Sequence, residues 1–366
     1  MKSIEVKDKK YIEQCFNLAR KGKGKGKVSP NPLVGAILVK DDKIIGQGYH
    51  KKFGEAHAEV NAIKSATESV AGSTLYCNLE PCCHTNKQTP PCGPLIIQNK
   101  IKRVVISTLD PNKDVNGKGV QQLREAGIEV ITKILEEDGE ELNKFYFKFV
   151  QEKLPFVTLK IAQSIDGKIS EAKNKQTWLT GKESIKYVHK LRSEYDSVLV
   201  GANTIKIDNP KLNVREVKGR NPVRVIIDGK LSIPIKSKIL NLSDPERTWI
   251  FTSSNVDEKK VKRIADKGIK IFRVDSSKQN FLDISKILKL LAEQKITSLL
   301  VEGGADIFTQ FLEKDLFDEI IILQAPKILG KGINGFNMKR LKKIQLLKMD
   351  KLGKDIRLVY GRKLSD

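Results

Sequence analysis

Cysteine is absent beyond Cys92, and no uninterrupted apolar stretch reaches membrane-spanning length. The first absence confines thiol chemistry to the first part of the chain, and the second excludes a hydrophobic transmembrane helix. Residues Met1 to Lys10 lack the apolar core and small-residue cleavage site of a secretory leader, so a cytoplasmic location without membrane partners is expected. Aromatic residues are lean at 6%, yet 39% hydrophobic and 30% charged residues suit a folded protein and exclude disorder. Acidic residues are in deficit: 44 Asp and Glu against 67 Lys and Arg leave a formal charge of +23. The lysines are scattered through amphipathic stretches, with no basic block interleaved with aromatics, so phosphorylated small substrates explain the balance more economically than nucleic acid does.

A chain of 366 residues exceeds what a single core usually fills, which points to two domains. Ile12, Cys15, Phe16 and Ala19 recur at helical spacing over 10–21. Strands are expected over 33–39 and 43–49, joined as a hairpin at Lys40-Asp41-Asp42, and over 74–79 and 103–108. Helices are expected over 57–67, 94–100 and 120–126, the last ended by Gly127. This alternation predicts an α/β sandwich. An aromatic-rich helix, Phe145-Tyr146-Phe147-Lys148-Phe149, then closes, and Pro155 opens a new strand pattern, so the domains are placed at 1–150 and 151–366. In the second, strands over 156–162, 197–201, 223–228, 248–252, 270–274, 298–301 and 319–324 interleave with helices over 183–194, 256–267, 284–294 and 307–313, again an α/β pattern.

Two glycine-rich runs invite a nucleotide reading, and both lack what it needs. Lys21-Gly22-Lys23-Gly24-Lys25-Gly26-Lys27 is closed by no Gly-Lys-Ser or Gly-Lys-Thr, so it reads as a solvated loop and not as a phosphate cradle. Gly330-Lys331-Gly332-Ile333-Asn334-Gly335 follows a strand but opens no apolar helix, which leaves a Rossmann domain unsupported. Val301-Glu302-Gly303-Gly304-Ala305 is different. It joins a strand directly to a helix, a turn at which glycine amides can approach a phosphate, although a tight turn without any ligand would look the same.

Four of the five cysteines fall between Cys77 and Cys92, a clustering that favours a metal site over a disulfide framework. His57-Ala58-Glu59, then Pro81-Cys82, then Pro91-Cys92 supply an imidazole, a carboxylate and two thiols. With His57, Cys82 and Cys92 on Zn²⁺, the fourth position stays open for a water whose pKa the metal lowers to about 7. Glu59, two residues beyond His57, is then left for general acid and base work. A purely structural zinc site would need a fourth ligand and no such carboxylate. Cys15, Cys77 and Cys83 read as core packing.

Pro30-Asn31-Pro32-Leu33-Val34-Gly35, Gly54-Glu55-Ala56-His57-Ala58-Glu59-Val60 and Glu80-Pro81-Cys82-Cys83-His84 resemble the deaminase domain of the bifunctional riboflavin-biosynthesis family. The tRNA-editing and cytidine deaminases space their thiols as Pro-Cys-x-x-Cys, whereas here a longer loop carrying Thr89-Pro90-Pro91 separates Cys82 from Cys92, as in the riboflavin family. This chain has Asn86-Lys87-Gln88 before that Thr-Pro-Pro, one residue more than the family's usual Gly-Arg or Gly-Lys. The resemblance implies that Asn31, His84 and Lys87 contact substrate, with Lys87 in place of the usual base; an exposed loop lysine is the alternative.

The second half is similar to the family's reductase domain through Leu159-Lys160-Ile161-Ala162-Gln163-Ser164-Ile165-Asp166-Gly167-Lys168, Trp178-Leu179-Thr180, Gly201-Ala202-Asn203-Thr204, Asp208-Asn209-Pro210 and Val301 to Gly304. The implied architecture is α/β throughout: a cytidine-deaminase-like α/β/α sandwich followed by a dihydrofolate-reductase-like domain. The implied cofactor is NADPH, at Ala162, Trp178, Thr204, Asp208 and Gly304, although Trp178 reads equally as core. Implied substrate contacts are Thr177, Arg192, Leu212, Arg215 and Glu302, and a pair of arginines can grip a 5′-phosphate bidentately. The reactions implied are zinc-dependent removal of the 2-amino group from a diaminopyrimidine ribonucleotide, then reduction of its ribosyl chain to ribityl, in an expected homo-oligomer.

Overall fold

A computed structural model describes residues 2–23, 28–85, 89–275 and 281–362. Residues 24–27 of the lysine-glycine run, and Lys87 with its neighbours Asn86 and Gln88, lie outside the described residues. The chain divides into two compact units, Met1–Lys153 and Leu154–Asp366. The division falls slightly later than the expected 150/151. The aromatic helix runs on to Glu152 and ends at Lys153 in the left-handed region, and Leu154 already packs on the core of the second unit.

In the first unit, α1 (Lys2–Arg20) precedes the hairpin β1 (Gly35–Lys40) and β2 (Lys43–Tyr49). There follow α2 (Ala58–Lys64), β3 (Thr74–Leu79), α3 (Cys92–Gln98), β4 (Arg103–Thr108), α4 (Lys118–Glu125), β5 (Glu129–Ile131), α5 (Glu136–Leu142) and α6 (Lys144–Glu152). The sheet order is β2-β1-β3-β4-β5, antiparallel on the hairpin side and parallel from β3 to β5. Side chains alternate as a pleated strand requires. Ala36, Leu38, Leu75, Cys77, Val104 and Ile106 face α2, α3 and α4 through Ala62, Ile96 and Leu123, while Ile37, Val39, Tyr76 and Val105 face α1 through Ile12, Cys15 and Phe16. Helix α1 extends well before its apolar period begins; its polar first turns are good helix formers and carry a Glu5–Lys9 pair one turn apart.

The second unit has one large sheet, built from β6 (Phe156–Gln163), β8 (Ser197–Gly201), β9 (Val223–Ile227), β10 (Thr248–Thr252), β11 (Lys270–Arg273), β12 (Ser298–Gly303), β13 (Glu319–Gln324), β15 (Ile344–Leu352) and β16 (Asp355–Arg362). Its order is β11-β10-β9-β8-β12-β6-β13-β16-β15. The strands are parallel from β11 to β13, and β16 and β15 close that edge antiparallel. A two-stranded patch pairs β7 (Lys168–Ser170) with β14 (Ile333–Asn334). One face is covered by α10 (Ile284–Glu293) and α11 (Ala305–Glu313), which bury Ile287, Leu291, Phe308 and Phe311 against Leu159, Leu199, Phe251 and Val301. The other face packs Val198, Val200, Ile226 and Ile250 against Ile205 of α8 (Ala202–Asp208) and Ile264 of α9 (Glu258–Ala265), and α7 (Lys182–Glu194) precedes β8.

Parallel strands place their carboxyl ends along one rim, and open α/β sheets bind ligands at such a rim. Glu302 and the Gly303-Gly304 turn close β12 there, between β8 and β6. The Gly330 to Gly335 run forms no helix: Leu329 and Gly330 donate their amides to Asp166, and Ile333–Asn334 is strand β14.

Candidate active sites

Helix α2 sets the first site. A Cβ at Gly48 of β2 would lie 2.5 Å from both Ala58 O and Ala62 N, so the bare glycine is what lets this helix lie directly on the hairpin. His57 caps α2 with extended backbone and makes no side-chain capping bond, and Glu59 sits in the first turn. Cys82 follows β3, and Cys92 opens α3 with its amide 3.0 Å from Cys82 O.

His57, Cys82 and Cys92 offer ligand atoms that all lie within 4.8 Å of one another. The His57 Nδ1 is 3.5 Å from the Cys82 sulfur and 3.4 Å from the Cys92 sulfur, so Nδ1 is the nitrogen turned toward the thiols. Its Nε2 is 3.1 Å from Thr89 Oγ1, a hydroxyl able to accept an Nε2 proton when the Nδ1 lone pair is on a metal. Thr89 was legible only as part of a Thr-Pro-Pro run. Glu59 is 3% exposed, and its Oε2 has no hydrogen-bond partner among the described residues. Burial pushes its carboxyl above the usual range, offset in part by the nearby His57 imidazole. Two soft thiols, one imidazole and an orphaned buried carboxylate oxygen fit a three-ligand zinc centre with a general acid and base beside it.

Asn31 reaches this site through His50, a residue the motif reading passed over. Its Nδ2 is 3.1 Å from His50 Nε2, and the His50 ring lies edge-on to His57 at 5.4 Å between centroids. The loop bearing Asn31 is pinned at Leu33 by two side-chain amides, Asn78 and Asn143. His84 is half-buried with Nδ1 unpartnered among the described residues, and it is not one of the three clustered ligands. Cys15 and Cys77 are buried as expected of core thiols. Cys83 departs from that expectation: it is partly exposed, on the loop side, where its thiol donates to Asp114 O at 3.7 Å.

In the second unit, Glu302 is held between Arg192 of α7 and Lys160 of β6. Arg192 donates from Nε at 2.6 Å and Nη2 at 2.7 Å, and Lys160 Nζ lies at 3.3 Å. Burial alone would raise the Glu302 carboxyl, but the Arg192 and Lys160 charges outweigh it and hold the group down at about 2. The expectation that Arg192 forks onto a phosphate is corrected by this geometry, because both arms of the fork are already on Glu302. Arg215 remains half-exposed, with Nη1 on Asn213 Oδ1 at 3.3 Å, and Asn213 O accepts from Arg192 Nη1 at 3.4 Å. Lys160 was not singled out beforehand; a lysine at 8% exposure inside an apolar strand was its only signal.

A Cβ at Gly304 would meet only Thr204 Oγ1, at 3.7 Å, so the turn before α11 is open and Thr204 borders it. Asp208 closes α8, and burial raises its carboxyl. Ala162 lies near the end of β6, opposite Leu323 of β13. Trp178 is 65% exposed, which corrects the core alternative. Thr177 Oγ1 is tied to Ser170 Oγ and to the Glu171 amide. Leu212 buries its side chain in the core at φ 50°, so only its backbone can face a ligand.

Two family descriptions match the chain. Residues 5–108 match the cytidine and deoxycytidylate deaminase zinc-binding region, and residues 155–358 match the RibD C-terminal domain. Fold and site together define a two-domain enzyme: a zinc-dependent, cytidine-deaminase-like domain followed by an NADPH-dependent reductase of dihydrofolate-reductase-like fold. The riboflavin biosynthesis protein RibD of Aquifex aeolicus is 41% identical over 361 residues, covering 97% of this chain and 98% of that protein. RibD of Bacillus amyloliquefaciens is 41% identical, with 95% and 94% covered. Among solved structures, Acinetobacter baumannii RibD superposes with a TM-score of 0.88 at 34% identity, covering 98% of this chain and all (100%) of that one. A Thermotoga maritima diaminohydroxyphosphoribosylaminopyrimidine deaminase/5-amino-6-(5-phosphoribosylamino)uracil reductase gives 0.87 at 37%, with 98% and 99% covered. The chain belongs to the RibD family, the bifunctional deaminase-reductases of riboflavin biosynthesis.

Proposed function

We propose that the chain hydrolyses the 2-amino group from 2,5-diamino-6-(5-phosphoribosylamino)pyrimidin-4(3H)-one and then reduces the ribosyl chain to ribityl, giving 5-amino-6-(5-phosphoribitylamino)uracil. The observation that carries the first step is the buried, unpartnered Glu59 oxygen beside the clustered His57, Cys82 and Cys92. These three residues would hold zinc, which in an open three-ligand site supplies hydroxide at neutral pH. Glu59 takes the proton of the attacking water and delivers it toward the ring nitrogen and the departing ammonia, so water enters and ammonia leaves. Asn31, His84 and Lys87 orient the pyrimidine.

For the second step NADPH, when bound, would supply the hydride that reduces C1′. Ala162, Trp178, Thr204, Asp208 and Gly304 would bind the cofactor, and Thr177, Arg192, Leu212, Arg215 and Glu302 would bind the nucleotide. Arg192, Lys160 and Glu302 together leave one net positive charge for a phosphorylated substrate, and Arg215 would be the arginine that meets the phosphate itself.

The enzyme would act on small molecules, in the cytoplasm, without nucleic acid and as a homo-oligomer. Support for the location is that no disulfide links the cysteines among the described residues. Support for self-association is the exposed apolar stripe Leu346, Leu347 and Met349 on β15.

Replacing Glu59 by Gln tests the deaminase mechanism. Ammonia release should fall by roughly 10²- to 10⁴-fold, the usual contribution of a general acid and base, with zinc still stoichiometric by metal analysis. Cys92→Ser should lose zinc as well. Ammonia release at the wild-type rate from the Glu59 variant would remove the assignment.

A further inference from the structure

The hydrogen-bond chain Ala56–His50–Asn31 has only one consistent direction. His50 Nδ1 lies 3.1 Å from Ala56 O, and a carbonyl oxygen can only accept. Nδ1 therefore carries a proton. The Asn31 atom that faces Nε2 at 3.1 Å is the amide nitrogen Nδ2, which can only donate, so Nε2 of this 3% exposed imidazole is the acceptor of the pair. The carbonyl Oδ1 of Asn31 is then the atom left over, with no partner among the described residues.

Surrounding contacts keep the chain from reversing. Asn61 Nδ2 also donates to Ala56 O at 3.2 Å and to Tyr49 O at 2.9 Å, which fixes that carbonyl where His50 meets it. The His50 amide donates to Val34 O at 2.9 Å, and Asn78 and Asn143 grip Leu33, so both ends of the pair are held by backbone on the same hairpin entry. The pair sits one ring away from the zinc ligand His57.

We infer that His50 is a positioning residue that locks the Asn31 amide with its oxygen toward the substrate, so that this position reads a hydrogen-bond donor, an exocyclic amino group or ring N–H of the pyrimidine, and rejects an acceptor there. This deepens the deaminase reading above and rests on it for the identity of the base. The cost of facing a wrong partner is that of an unmade bond to a desolvated polar group, which is how such sites discriminate.

The test has two arms. In the zinc-loaded full chain labelled with ¹⁵N-histidine, only four histidines contribute ring signals, and His50→Gln assigns the one of interest. His50 is expected to carry its proton on Nδ1 with Nε2 accepting. A proton on Nε2, or on both nitrogens, overturns the inference without any activity being measured. In the kinetic arm, Asn31→Asp keeps an acceptor toward the substrate while Asn31→Leu keeps only the shape. KM for deamination should rise about tenfold more in the Leu variant than in the Asp variant, about the worth of one good hydrogen bond. Equal losses, with zinc content and thermal midpoint matched between variants, overturn the donor-reading role. Absence of deamination in the wild type would count against the proposed substrate and leave the ¹⁵N arm to decide the orientation.

Discussion

Burial acts on two carboxylates here with opposite net outcomes. At Glu59 it dominates and favours the protonated form; at Glu302 two cations at 2.6 and 3.3 Å reverse it and hold the acid at about 2. The proposed proton carrier and the buried counterion are thus distinguished by their neighbours, and a sequence shows only two glutamates. The clustered His57, Cys82 and Cys92, the proposed zinc ligands, stood out in the sequence because His-x-Glu and Pro-Cys compress chemistry into a few positions. Thr89, His50 and Lys160 did not, because what identifies them is a partner distant in sequence. The depressed acid at Glu302 has a stability consequence. A carboxyl whose pKa falls from about 4.3 unfolded to about 2 folded stabilises the fold by about 3 kcal/mol above pH 4.3, and that contribution is lost as pH falls toward 2. Glu302→Gln leaves Arg192 and Lys160 buried without their counterion, so it should destabilise by about 3–5 kcal/mol near neutrality. The gap from wild type should narrow between pH 4.5 and 2.5. Both tryptophans, Trp178 and Trp249, lie in the second unit, so denaturant unfolding followed by tryptophan fluorescence reports on that unit alone. A gap independent of pH would show that Glu302 does not carry the charge assigned to it.

At the scale of elements, strands and helices with a clear apolar period were read to within a few residues, β3, β4, β8, β10 and β13 among them. Helix α3 starts at Cys92, earlier than the expected 94, because Pro91 supplies the extended N-cap residue. The hairpin β15–β16 escaped notice because β15 is solvent-facing along most of its length, so no apolar alternation betrays it. Short α5, α8 and β5 escaped for want of length. The turn that presents Cys82 depends on α4: Glu80 accepts from the Asp110, Gly117 and Val120 amides, and a Cβ at Gly119 would lie 2.3 Å from Pro81 O. Gly119→Ala should therefore push α4 off the Cys82 turn, costing about 1–3 kcal/mol and weakening zinc binding. Competition with a chromophoric chelator measures the second effect. Unchanged zinc affinity in a destabilised variant would separate α4 from the metal site.

For the whole molecule, the two-unit division was legible from Pro155 and from the return of strand periodicity. The proposed reductase residues could be picked out only through resemblance, since they come from α7, α8, β6, β12 and intervening loops and share no local motif. Every proposed metal ligand lies in the first unit, and Arg192, Arg215, Asp208 and Glu302 all lie in the second, so the two reactions should be chemically independent. The direct measurement follows both activities of the full chain during chelation: ammonia release from the diaminopyrimidine nucleotide, and NADPH oxidation with already deaminated nucleotide supplied. Chelation should abolish ammonia release, zinc should restore it, and NADPH oxidation should be unchanged throughout. Loss of both activities together, recovered together on adding zinc, would contradict two separate sites.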